Sequence, residues 1–183
     1  MATISINKMA LILVVLLFQC KKPGADVAHK LIKIDSIPVL ENHVTSDTIM
    51  TTAKLDEFKN DVINKGDNYS FSMLSIELHA QNKFDELLKY SLIMGNQFKK
   101  GDGFNEAFLC MVALHNNNVY EDISDFEKIP EDAKETALNY LEKGVALGDI
   151  NSASMLQEIY RKGIGVKVNV KKADELKKLI EKQ

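Results

Sequence analysis

The chain has 183 residues, with 26 acidic against 23 basic side chains and a formal net charge of −3. That balance, with no basic run long enough to neutralise a row of phosphates, argues against nucleic acid as a partner. Two cysteines are too few for a disulfide framework, so a hydrophobic core has to hold the fold, and the length suffices to bury one.

The N-terminus reads as an address. Lys8 precedes the unbroken apolar run 9–18, which is followed by Gln19, Cys20, Lys21 and Lys22. A cation followed by a short apolar run is the pattern of a secretory signal. The run falls short of the ~20 apolar residues that a membrane-spanning helix needs. Leu17-Phe18-Gln19-Cys20 resembles a bacterial lipoprotein box, although Phe18 and Gln19 stand where that box has small residues. The resemblance implies a signal peptide over residues 1–19, lipidation of Cys20, and a chain held to the periplasmic or outer face of a bacterial envelope. With Cys20 committed to lipid, Cys110 has no intramolecular partner; between Leu109 and Met111 it reads as a buried small hydrophobe.

Residues 20–51 follow as a tether or irregular segment. Pro23-Gly24 breaks the chain early, and Pro38 interrupts the apolar run 31–40, which demotes any strand there. Helical patterning starts at Thr52, a candidate cap. Leu55, Phe58, Val62 and Ile63 make a stripe ending at Gly66. Residues 70–80 carry Phe71, Leu74, Ile76 and Leu78, and residues 85–94 carry Leu87, Leu88, Leu92 and Ile93 up to Gly95. Residues 105–115 carry Ala107, Phe108, Met111, Val112 and Leu114. The stretch 116–130 opens on three asparagines and is rich in Asp and Glu; it reads as an insertion on one rim, either a contact region or a longer solvated loop. Residues 132–147 carry Ala137, Leu138, Tyr140, Leu141, Val145 and Leu147, ending at Gly148.

Three Gly-Asp pairs, at 66–67, 101–102 and 148–149, each precede the first helix of a pair. Gly suits a helix stop and Asp a cap for the next start. Residues 70–78 align with 107–115 at an offset of 37, and small residues at Ser91 and Gly144 recur on the second helices. Such spacing predicts a row of helical hairpins.

The final hairpin is the most specific. Met155, Leu156, Ile159 and Tyr160 mark one helical face, Gly163 and Gly165 a turn, and Asn169 a cap for a helix carrying Ala173, Leu176, Leu179 and Ile180. The run Tyr160, Gly163, Gly165, Val166, Asn169, Lys172, Ala173 resembles one Sel1-like repeat, a tetratricopeptide-related unit. Gln157 and Leu176 depart from its pattern, and the Gly-x-Gly turn is missing from the middle pair. The resemblance implies an all-α fold, an α-α superhelix over residues 52–183, whose lysine-rich last unit closes the row. In related repeats the first helix of each pair lines the concave face. Ser72, His79, Asn116, Gln157 and Arg161 are then candidate contacts for a protein or peptide partner.

Motifs of chemistry are missing: no nucleophile elbow, zinc-binding helix, phosphate loop or calcium loop occurs. Gly163-Ile164-Gly165 follows a helix rather than a strand, against a dinucleotide site. His79 and His115 fall near the ends of first helices, where a polar residue is ordinary. No cofactor, metal or catalytic residue is therefore expected. The leading expectation is a lipid-anchored adaptor with a binding groove. The alternatives are a periplasmic immunity protein against a secreted toxin and an accessory factor or hydrolase of envelope maintenance.

Overall fold

Helix boundaries follow from local chemistry at several points. The computed structural model describes residues 50–182; the signal, Cys20, His29, His43 and nearly all of the tether lie outside the described residues. Helix α1, Thr52–Lys65, is capped by Thr51, whose hydroxyl accepts from Lys54 N–H at 3.3 Å, one residue before the expected cap. Asp67 opens α2, Asn68–Ala80, by accepting from Ser70 N–H at 2.7 Å. Asp149 opens α7, Ile150–Lys162, by accepting from Ser152 N–H at 2.6 Å, and Asn169 opens α8, Val170–Ile180, from Lys172 N–H at 3.0 Å. Each side-chain oxygen satisfies a backbone donor that the first turn leaves free. Gly66 and Gly163 end α1 and α7 at φ of 60° and 73°, where an L side chain would be strained.

Between these lie α3, Phe84–Asn96, α4, Gly101–His115, the short α5, Asp125–Lys128, and α6, Glu131–Ala146. Among the described residues every regular element is helical and there is no strand, so the fold is all-α. The most extensive contacts run α3 to α4, α4 to α6, and α7 to α8, with α6 against α7 and α1 against both α2 and α3. Each helix packs on its neighbours in sequence, pair after pair, the arrangement of a helical-repeat superhelix.

Helix α4 divides the interior. Cys110 and Ala113 face a cluster with Leu55, Val62, Phe71, Leu74, Leu78, Leu87 and Met94. Phe108 and Val112, on the opposite side of the same helix, face a second cluster with Ala137, Leu141, Ala153, Leu156, Ile159 and Leu176. A step of two residues, as from Phe108 to Cys110 or from Cys110 to Val112, turns a helix by just over half a circle, so one helix serves both cores. The repeat offset recurs in packing: Phe71 and Phe108 are both buried.

Several expectations change. Gly101-Asp102 is not a stop and cap: α4 begins at Gly101, and no side chain caps it. Gly101 is required by packing instead, since a Cβ there would stand 2.6 Å from Asp149 Cβ and 3.0 Å from Gly144 O. Gly95 is the penultimate residue of α3, one before the helix end, and lies buried under Phe104. Ile63 and Ile76, assigned to apolar stripes, point outward. The insertion is no solvated loop. Its Phe126 and Ile129 are buried in the second cluster, with Phe126 5.6 Å from the Phe108 ring and against Gly165. Asp125, also buried, accepts from Glu121 N–H at 2.7 Å and from Lys128 at 2.6 Å.

The small residues on second helices do allow close approach. Gly144 leaves room for Ser152 of α7, whose Oγ and Cβ occupy the space a Gly144 side chain would need. Ser91 is buried against α4, where a Cβ on Gly103 would stand 2.7 Å from Ser91 O.

Candidate functional site

The first helices of the pairs are α2, α4 and α7, and two side-chain contacts tie them into one surface. His79 Nε2 of α2 meets Glu106 Oε1 of α4 at 2.6 Å. Asn105, the preceding residue on α4, donates to Met155 Sδ of α7 at 3.4 Å. Neighbouring residues of α4 thus reach one to α2 and the other to α7. His79 also stands edge-on to Phe84, ring centroids 4.9 Å apart, which fixes the imidazole.

Helix α2 is apolar on both sides. Ser70, Phe71, Leu74 and Leu78 face the core, whereas Tyr69 and Ile76 are 67% and 64% exposed. Spacing of three, four and seven residues puts Tyr69, Ser72, Ile76 and His79 on that outer side. Tyr69 is held edge-on by Phe58 of α1 at 5.9 Å.

The insertion reaches the same surface. Tyr120 packs against both interior clusters. Burial pushes its phenol up to about 12, and the carboxylates of Asp122, Asp125, Glu158 and Glu106 push the same way. Beside it, Asp122, Ile123 and Ser124 form a cleft with Met155, Glu158 and Lys162 of α7 and with Ile164, a space of about 580 Å³. The floor is apolar and the rim charged. Hydrogen bonds from the hydroxyl and backbone N–H of Ser124 hold the Asp122 carboxyl below its usual range, so it is ionised at neutral pH.

The five candidates from the sequence separate. Ser72 and His79 share the outer side of α2, Ser72 exposed with its hydroxyl donating to Asn68 O at 2.9 Å. Asn116 closes the turn after α4 by donating to Val119 O at 3.1 Å. Gln157 and Arg161 line a different cleft, of about 470 Å³, between α7 and α8, where Arg161 pairs with Asp174 at 2.7 Å. On α7 Gln157 lies more than a quarter-turn from Met155 and Glu158, whereas Arg161, three residues from Glu158, is its neighbour on the helix surface. Glu106, Tyr120, Met155 and Glu158, absent from the sequence-based candidates, complete the surface that α2, α4 and α7 share.

Cys110 is fully buried, and burial raises its thiol well above the ordinary range, leaving it protonated and shielded. Among the described residues no three His, Cys, Asp or Glu side chains gather as a metal site, and no helix is long and apolar enough to cross a membrane. Compared with protein-family models, with curated proteins and with solved structures, the chain matches none.

Proposed function

We propose that this chain is a lipid-anchored protein of the bacterial envelope, built of Sel1-like helical pairs, that offers the face of α2, α4 and α7 to a protein or peptide partner. The observation that carries the reading is the outer side of α2. Tyr69 and Ile76 stand exposed on a helix whose opposite side is already committed to the core. Large apolar side chains held outward on a rigid element are the usual anchors of an interface. The His79–Glu106 contact ties this helix to α4, and Asn105–Met155 ties α4 to α7, so the face is preorganised. The lipoprotein-box resemblance at Cys20 supports the anchor, and the Sel1-like turn around Gly163 and Gly165 supports the family reading.

Photo-crosslinking in the native membrane tests the reading. A crosslinker at position 76 should yield one discrete adduct that is lost on Tyr69→Ser, while a crosslinker at exposed position 135 on α6 should yield none. Equal adducts at both positions would remove α2 as the binding face. Cys20→Ser should move the chain from the membrane to the soluble fraction; retention in the membrane would remove the lipid anchor.

A further inference from the structure

Lysine and arginine are distributed unevenly among the helices. Neither α2 nor α4 contains one; their acidic side chains are Glu77, Asp102 and Glu106. Helix α7 has two cations, and both are engaged, Arg161 with Asp174 and Lys162 with Glu158, each at 2.7 Å. The insertion adds exposed Glu121 and an ionised Asp122. On the other helices Lys59 pairs with Glu86, Lys134 with Glu131 and Lys172 with Glu142. The acidic part of this face is thus α2, α4 and the insertion, since Glu158 is matched by Lys162, and Glu106, whose side chain is only 15% exposed, is less screened by salt than a surface charge. Between its carboxylates lie apolar surfaces: Tyr69 and Ile76 at one end, and the Ile123–Met155–Ile164 floor at the other.

We infer that the partner segment is cationic, an extended peptide in which lysine or arginine alternates with aliphatic side chains. This inference rests on the proposed reading of the face and adds the chemistry of its occupant. Aliphatic side chains would fill the cleft between the insertion and α7, and cations would meet Glu106 and Asp122. A face with one sign of charge also steers a partner of the other sign and rejects a like-charged one.

The test uses the full chain and three fluorescent twelve-residue peptides, read by anisotropy: alternating Leu and Lys, alternating Leu and Glu, and alternating Ser and Lys. The Leu–Lys peptide should bind at least tenfold more tightly than either of the others. Its affinity should fall about tenfold between roughly 50 and 500 mM salt. Glu106→Gln with Asp122→Asn should weaken it at least tenfold, whereas Glu135→Gln on α6 should leave it unchanged. Each amide keeps the shape and a hydrogen-bonding oxygen, and Asp122→Asn alone, at a surface position, should still weaken binding measurably. Equal binding of the Leu–Glu peptide, lost on Tyr69→Ser, would overturn the cationic preference while leaving the binding face intact. Failure of every peptide to bind would overturn the inference, and the position-76 crosslink then decides separately whether the face binds anything. An unchanged affinity in the double variant would overturn it as well.

Discussion

Ser152 is the one place among the described residues where a buried side-chain polar atom finds no hydrogen-bond partner. Its hydroxyl sits in the space left by Gly144, so the close contact of α6 and α7 is made at the expense of a desolvated oxygen. Ser152→Ala keeps the contact and removes the oxygen. Chemical denaturation should show a gain of about 1 kcal/mol, the scale of an unsatisfied buried hydroxyl; a loss would mean that the hydroxyl is bonded after all. Asp125 is the opposite case, a buried carboxylate that is fully engaged. The Glu121 N–H, then Lys128, hold its carboxyl below the usual 3.8. A carboxyl depressed on folding contributes stability that is complete above its unfolded value and lost as pH falls through the folded one. Asp125→Asn should therefore lower the melting temperature at pH 7, and the gap from the parent chain should close below about pH 4. A gap of constant size across that range would assign the loss to packing rather than charge.

Helices show how much could be read from residue order. The caps at Asp67, Asp149 and Asn169 were legible because a cap needs only residues three apart. The middle Gly-Asp pair, 101–102, misled because the same dipeptide meets a different demand. Gly101 is small to admit α6 and Asp149 from across the fold, which no local pattern reveals. Of the two readings of the insertion, the solvated loop failed for a related reason. Its acidic composition suggests solvent, yet Phe126 and Ile129 are buried, and a four-residue helix is too short to display a period. Phe126→Ala should cost about 3–5 kcal/mol, as for other buried aromatics, whereas a solvated loop would tolerate the change within ~0.5 kcal/mol. The candidate face was half legible. Ser72 and His79 lie on it by helical spacing alone, but Glu106 and Met155 join it only through contacts spanning 27 and 50 residues of sequence.

Taken whole, the described chain has two apolar clusters that share one wall, α4, with Tyr120 touching both. In such a row stability passes between neighbours rather than through one common centre. Leu176→Ala, at the far end of the second cluster, should loosen α8 and α7 first. Hydrogen exchange should accelerate there while α2 and α3 keep their protection. Uniform acceleration across all helices would show instead that the row unfolds as one unit.

The wall itself supplies a clock. In a Cys20→Ser chain, Cys110 is the sole thiol, fully enclosed by α4 and its neighbours. A maleimide could reach that sulfur only after α4 parts from the N-terminal cluster, so the alkylation rate would time that opening directly. A ligand seated across α2 and α4 would hold the two together and slow the reaction in proportion to its occupancy.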